Sequence, residues 1–573
     1  YGNNGVISPV ESIGMEKLHT ALISFIYLIQ FTYEHNEAII QKLKKPVIWN
    51  SDKYLVLSHN SIMQLNMIKD KNNEYSSGIT SLWDILDKTV TCLGKRFLKY
   101  RLLHPLLDVD ELENTYDTAN FLQSKDKETY LFNKIHSLIR SVCDIERLHR
   151  KMAMQIINPQ DFNSLDMSYI CIENLLNYIT KFSSIICKNL PSNDSQSKFN
   201  TYLKDYRSKI KLNEIIGIHQ SNIINNFFIE GVYPEIDRVQ NHINVRENYF
   251  LELSTQLAYM IDKSGKIKLE LRETDKEGHF LSTTISRGKQ LQQILKKKSE
   301  IIVTINNEKK MLKYSDLEFK KTTNSFKIFS GEMKQNSHLW RGYQESMRKL
   351  CLSKLKELCL KYYNDYSKVL QDICKFVGKL DYLSCIADVS LHNGYTKPII
   401  DKNADNSYID AVDLRHPIIE KIKTSSKYIP NDVKLGINNQ NGILLYGVNA
   451  VGKSSYMKSI GLSIIMAQAG FFVPAKKFNF ALYKNLFTRI SSNDNIFKGQ
   501  STFAVELGEL RSIFKRTNKF SLVLGDELCS GTETISGLSI VTAGVIKLST
   551  AGSSFVFATH LHQLSSMKEI TQC

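Results

Sequence analysis

Residues 442–455 read "GILLYGVNAVGKSS": an apolar run that breaks into a loop bracketed by Gly447 and Gly452 and closed by Lys453 and Ser454. The spacing is G-x-x-x-x-G-K-[ST], the pattern of a phosphate-cradling loop. The apolar run has the length of a strand. "YMKSIGLSIIMAQAG", which follows, has the period of a helix, so the motif sits in the strand–loop–helix context it requires. The loop side chains are small because backbone N–H groups must approach the α/β-phosphates at a helix N-terminus. Lys453 then reaches the β/γ-phosphates, and the Ser454 hydroxyl ligates Mg²⁺. A unit of this kind predicts an α/β domain built around a nucleoside triphosphate.

Such a site needs a carboxylate for the metal and a group that handles water. "SLVLGDE", about 70 residues downstream, places both at the end of an apolar run. Asp526 suits the Mg²⁺ shell, and Glu527 is placed to orient or deprotonate the attacking water. An acidic pair after a strand is common by itself; together with the loop it indicates a nucleotide hydrolase. "GSSFVFATH" is a further short apolar strand, ending in His560. That histidine either senses the γ-phosphate or is an ordinary hydrogen-bonded cap. Short strands alternating with helical segments after about residue 400 predict a mostly parallel sheet with its chemistry at the strand carboxyl ends.

The remaining chain is of another kind. At 573 residues it exceeds one core and predicts roughly three or four domains. From about residue 10 to 400, helix-period segments such as "SLIRSVCDIERLHRKMAMQ" and "SMRKLCLSKLKELCLKYYNDYSKVLQDICKFVGKL" carry little internal glycine or proline. Between them, "KIKLELRETDKEGHFLSTTI" and "EIIVTINNEKKMLKYSDLEF" alternate polar and apolar residues and predict a small strand-rich insertion. Residues 287–334 hold 12 Lys and Arg against 5 Asp and Glu. This excess makes the insertion, and Lys296, Lys297 and Lys298 within it, either a tip that touches a phosphate backbone or a solvated face. The net charge of +16 leaves the same two choices for the whole chain, a nucleic-acid partner or a lysine-rich surface.

The longest apolar stretch, "ALISFIYLI" from Ala21, falls short of the roughly 18 residues of a membrane span and is expected to form a buried helix. Ten cysteines without a C-x-x-C pair indicate a reducing, intracellular compartment rather than a zinc or redox site. No signal or transit pattern is present, and an opening on Tyr1 instead of methionine places the true start upstream.

These motifs belong to a longer pattern. "LRHPIIE", "YIPNDVKL", "GILLYGVNAVGKSSYMKSIGLSIIMAQAGFFVPA", "LFTRISSNDNIFKGQSTFAVELGELRSIF", "SLVLGDELCSGTETISGLS" and "FATHLHQL" together resemble the ATPase domain of the MutS DNA mismatch-repair family. "LWDILDKTVTCLGKRFLKYRLLHPLLDVDEL" and "CDIERLHRKMAMQIINPQDF" resemble the family's core; "IEGVYPEIDRV", "GHFLSTTIS" and "LDYLSCIADVSLHNGYTKPII" resemble its lever, clamp and returning core. The wording of "GVNAVGKSS" and "GDELCSGTE" is most similar to the branch found in octocoral mitochondria and giant viruses.

The resemblance implies a multidomain α plus α/β protein. Residues 1–256 would form a helical core and lever, 257–335 a basic strand-rich clamp, 336–398 the returning helices, and 399–573 an ABC-type P-loop ATPase domain. It further implies ATP with Mg²⁺ as ligands, duplex DNA, mismatched or branched, as partner, and a homodimer that closes around the DNA. It implies no membrane, and a mitochondrion or an infected host's cytoplasm as the setting. Tyr428 stands where the family stacks a ring on adenine. Asn449 and Ser455 match nucleotide-binding positions, and Ser501 matches the signature serine presented to the partner's γ-phosphate.

Departures are present as well. Val448, Ala450, Val451 and Ser455 replace the family's usual loop residues, Cys529-Ser530 its glycine-arginine, and Ser536 an aspartate, which puts cross-dimer contacts from that loop in question. The mismatch-reading Phe-x-Glu wedge is not matched; the literal Phe228-Ile229-Glu230 falls in the lever region and is read as chance. No C-terminal dimerisation helices or nuclease are matched either. Two rival readings remain, a structural clamp for junctions or branched DNA and a distant ABC-like ATPase of chromosome organisation.

Overall fold

The computed structural model describes residues 9–571 apart from 17, 36, 41–42, 44, 47–50, 70–77, 183, 219–221, 264–268, 299, 306–307, 423–427, 439, 449–450, 491–501 and 530–532. The protein is mostly helical, with a parallel sheet near its C-terminus.

The helical body forms where the sequence supplies both an apolar face and a cap. Helix α1 spans His19–His35, α2 His59–Gln64 and α3 Leu82–Leu86. Helix α4 covers Cys92–Leu103, its Thr91 side chain accepting the Gly94 N–H as an N-cap. Helix α5 is Val109–Leu122 and α6 is Pro234–Ile261, with proline in its first turn.

The body is organised around α8, Gly331–Asn393, a single helix of 63 residues. Ser330 caps its start by accepting the Met333 N–H, and Gly394 ends it at φ 60, a left-handed turn that glycine makes without steric cost. At 1.5 Å per residue it is about 95 Å long. Helix α6 runs antiparallel along its first half. The two are joined by a Lys354–Glu235 ion pair, a His242–Tyr343 ring stack and a Phe250–Trp340 contact, in that order along both helices.

Between α6 and α8 lies the insertion. Strands β2 (Glu270–Thr274), β3 (Gly278–Thr283), β6 (Leu317–Lys321) and β7 (Phe326–Ser330) form an antiparallel sheet in the order β2-β3-β7-β6. Strands β4 (Glu300–Ile305) and β5 (Glu308–Lys313) form a separate hairpin, preceded by helix α7, Ile285–Lys298. His279 fixes the insertion to α8: its backbone N–H donates to Ser337 Oγ at 2.7 Å, and its ring stacks on Trp340 at 4.1 Å.

The C-terminal part contains strands β8 (Gly442–Leu445), β9 (Asn485–Arg489), β10 (Ser521–Asp526) and β11 (Ser554–Ala558), with helices α9 (Lys453–Gln468), α10 (Thr502–Arg516) and α11 (Thr534–Thr550). The parallel sheet has the order β1-β9-β10-β11-β8, in which β1 is Val56–Leu57 from the other half of the chain, paired with Asn485 and Leu486. Alternation along the strands serves two faces. Leu522, Leu524 and Val556 join the core shared with α9, while Val523, Phe555 and Phe557 pack with Leu510, Val541 and Val545 of α10 and α11. Gly461 lets α9 lie close to the sheet, since a Cβ there would stand 2.7 Å from Leu524 Cδ1. A second small sheet of mixed direction, Ile399–Ile400, Lys477–Phe480, Ile409–Leu414 and Asn431–Leu435 in spatial order, flanks it.

One expectation is corrected. The apolar stretch from Ala21 is helical, as α1, but not buried: Ile23, Ile26, Tyr27, Leu28 and Phe31 are all more than half exposed. Its apolar residues point all round the helix, and its main contact among the described residues is the short helix Glu37–Ile40, too small to cover them. No helix among the described residues is long and apolar enough to cross a membrane. Phe228 is fully buried against Tyr233, so it is a core residue and not a wedge.

Candidate nucleotide site

Three neighbouring parallel strands end at one place. Register puts Leu445 of β8 beside Ala558 of β11, and Ala558 beside Asp526 of β10. The loop after β8, the acidic pair after β10 and the histidine after β11 therefore converge at the carboxyl edge of the sheet.

Gly452 is the N-cap of α9 at φ 103, a conformation that L side chains rarely adopt. Lys453 opens the helix, and its Nζ donates to the carbonyls of Gly447 at 2.6 Å and Val448 at 3.2 Å, so the ammonium lies inside the loop. Ser454 Oγ donates to Asp526 Oδ2 at 2.5 Å. Glu527 follows with φ 48, its N–H bound to the Ala558 carbonyl at 2.9 Å. A non-glycine residue held in the left-handed region marks strain of the kind found at functional sites. It turns the side chain so that Oε1 meets His560 Nε2 at 3.0 Å, both groups partly open to solvent. Ser455 is half-buried in the first turn of α9.

Tyr428 is half-buried beside α9. Burial raises its hydroxyl pKa, and the nearby Ser459 and Asn431 side chains oppose that rise. Burial likewise pushes neighbouring Tyr456 up to about 12. Cys529 is buried at φ 59, and its N–H donates to Glu506 Oε1 at 2.9 Å. This ties the acidic loop to α10. Arg489 Nε, 3.3 Å from Glu509 Oε2, holds the same helix against β9. Ser536 is exposed at the start of α11. Asn449, Ser501 and Ser530 lie outside the described residues. Lys296, Lys297 and Lys298 are exposed in the last turn of α7, in the insertion and away from this site.

The profile of MutS domain III matches residues 60–387, more than half of the chain, and that of MutS domain V matches residues 443–573, which hold all of the strand-end groups above. The chain belongs to the MutS family. Among its relatives are a DNA mismatch repair protein mutS homolog of Acanthamoeba polyphaga mimivirus, 33% identical over 98% of this chain and 54% of the relative, and the DNA mismatch repair protein MutS of Caldanaerobacter subterraneus subsp. tengcongensis, 27% identical over 98% and 60%. A mitochondrial DNA mismatch repair protein mutS homolog of Sarcophyton glaucum is 25% identical over 97% and 54%. This MutS-family chain thus spans little more than half the length of those relatives.

Two site neighbours were not anticipated from the sequence. Lys458 stands one helical turn beyond Ser454, and its Nζ donates to Asn66 Oδ1 at 3.3 Å. Burial lowers the Lys458 pKa while the Asp526 charge pulls it upward. The i to i+4 spacing from Ser454 could have flagged the lysine. Nothing local could have flagged Asn66.

Proposed function

We propose that this chain binds ATP with Mg²⁺ and hydrolyses it as the core and ATPase portion of a MutS-type DNA mismatch-repair protein. The observation that carries the proposal is the convergence of Ser454–Asp526 and Glu527–His560 on adjoining strand ends, next to the Lys453 loop. A hydroxyl and a carboxylate oxygen 2.5 Å apart are hard donors that fit Mg²⁺, which is commonly held by one or two carboxylates together with substrate phosphates. Ser454 and Asp526 would hold the ion, whose charge would offset that of the phosphates.

The protein's own residues do the rest. Gly447 and Gly452 bring loop N–H groups to the phosphates, and Lys453 exchanges the loop carbonyls for phosphate oxygens. Glu527 takes the proton of the attacking water, and His560 fixes the direction of its carboxylate. Tyr428 supplies a flat face for the base. Asn449 and Ser455 complete the loop, and Ser501 serves the partner's nucleotide in a homodimer.

In the same reading, residues 1–256 and 336–398 form core and lever, 257–335 the clamp, and 399–573 the ATPase. The insertion sits at one end of α8, while Tyr382 near the other end donates its hydroxyl to the Ala469 carbonyl just after α9. About 75 Å of continuous helix separates them, a span over which ATP-driven closure can reach DNA held by Lys296, Lys297 and Lys298.

The test is Glu527→Gln. ATP should still bind by calorimetry, and phosphate release should fall about 10²–10⁴-fold. Wild-type turnover in that variant would remove the assignment. Tight binding to four-way junctions with no preference for mismatched over matched duplex would move the reading to the junction clamp.

A further inference from the structure

A cavity of about 870 Å³ lies in the helical body, between α4, residues 371–379 of α8 and the segment 189–192 that leads into the helix Asn193–Arg207. Its volume falls within the roughly 300–1,000 Å³ of small-molecule sites. Leu93, Phe97, Leu190 and Phe376 give it apolar walls. It shares no residue with the groups at the strand ends of the nucleotide domain.

Most charges on the lining are already matched. Arg101 meets Glu111 at 2.7 Å, Arg96 meets Glu146 at 2.8 Å, and Asp372 accepts the Ser195 hydroxyl at 2.9 Å. Lys375 is exposed to water and stands three residues from Asp372 on the same helix, within its reach. Lys379 is left over. It is half-buried, and its ammonium makes no hydrogen bond or ion pair among the described residues. Burial lowers its pKa, while the Glu111 charge acts the other way. Four cations against three carboxylates leave the lining with one positive charge in excess.

A second group on the lining is unmatched in the opposite sense. Asn189 is more than nine-tenths buried, and its Nδ2 donates to Thr118 Oγ1 at 3.3 Å. Thr118 gives its own proton to the Asn114 carbonyl at 2.7 Å, so it can only accept from Asn189, which fixes the amide the right way round. Asn189 Oδ1 is then a buried acceptor without a donor among the described residues, a state that folded proteins rarely leave unanswered.

We propose that this cavity binds a small organic monoanion that has an aromatic or aliphatic body and one N–H or O–H donor. Lys379 takes the anionic group, Asn189 Oδ1 takes the donor, and Leu93, Phe97, Leu190 and Phe376 cover the body. A single charge in excess favours a carboxylate or sulfonate over a phosphate dianion. The apolar walls exclude an inorganic ion, which would leave most of the cavity unfilled.

The experiment titrates the whole chain, without nucleotide, with two fluorescent probes. Anilinonaphthalene sulfonate is a monoanion with an aromatic body and one N–H; phenylnaphthylamine is the same body without the sulfonate. Lys379→Met should weaken the sulfonate about 10- to 100-fold and leave the amine within about twofold, because only the charge-assisted contact is lost. Since that lysine has no partner, its replacement orphans no other group and the fold is kept. Asn189→Leu should weaken both probes about 3- to 10-fold, as both carry the donor. Equal affinity of the unsubstituted protein and Lys379→Met for the sulfonate overturns the proposal: the probe then lies on exposed apolar surface such as α1, and water alone fills the cavity. Equal loss of both probes in Lys379→Met overturns it too, since the lysine then shapes the wall instead of meeting an anion. So does full affinity for both probes in Asn189→Leu. None of these results bears on the nucleotide reading, which uses none of these residues.

Discussion

Lys453 donates to two loop carbonyls, of Gly447 and Val448, so its ammonium is already directed into the loop before a phosphate competes for it. Lys453→Ala should therefore cost one charge-assisted contact of about 1.5–3 kcal/mol, a fall in ATP affinity of roughly 10- to 150-fold by calorimetry. Cys529 presents the opposite case, a residue in a conformation it does not favour. It stands at φ 59 where the family usually has glycine, and its N–H is needed by Glu506. Cys529→Gly should relieve about 1 kcal/mol of left-handed strain while losing a small buried side chain, so the melting temperature should move by only a few degrees. Cys529→Val, β-branched at the same φ, should lower stability by more than about 2 kcal/mol in urea titrations. At this scale the sequence was legible where chemistry is local. Lys453 and Ser454 announce themselves within one motif, and Asp526 and Glu527 within another. The Lys458–Asn66 contact spans 392 residues and leaves no mark in either neighbourhood.

Elements were legible to the extent that a period had room to repeat. The alternation in the insertion predicted strands, and they are there; the long helical segment is one uninterrupted α8. Two elements escaped for physical reasons. Strand β1 has two residues, fewer than any period needs, and exists because β9 offers an open edge. Helix α1 could be seen, but burial depends on what lies opposite, which amphipathicity cannot report when every face is apolar.

A third element carries a prediction. His149, on the helix Ile145–Ala153, is buried and bonds the Tyr169 hydroxyl at 2.7 Å; desolvation lowers its pKa to about 3 from an ordinary 6.5. Its folded pKa is the depressed one, so the unfolded chain takes up the proton first as pH falls below 6.5, and stability drops with it toward pH 3. The slope is up to about 1.4 kcal/mol per pH unit. His149→Gln should flatten the difference in urea midpoint between pH 7 and pH 5. An unchanged difference would mean that the histidine is solvated.

For the whole molecule, the exposed lysines at the end of α7 belong to the insertion at one end of α8, while the proposed nucleotide site is joined to its other end, so the two proposed functions should be separable by mutation. Reversing Lys296, Lys297 and Lys298 to glutamate should weaken duplex binding irrespective of sequence and reduce the slope of log affinity against log salt by up to about 2.7, while ATP affinity without DNA stays unchanged. An unaltered salt slope, read by fluorescence anisotropy, would show that DNA lies elsewhere.

The edge strand β1 has a consequence in time as well as in space. Ser61, just beyond it, donates to the Leu486 carbonyl 425 residues away. At 5–20 residues per second the ribosome needs roughly 20 to 90 seconds to bridge that gap. During that interval the first strand has no partner, and once β9 emerges its edge can be closed only by a segment made long before. The helical body must hold residues 54–67 near their final place through that wait. The parallel sheet thus joins an edge segment to strands synthesised roughly 390 to 500 residues after it.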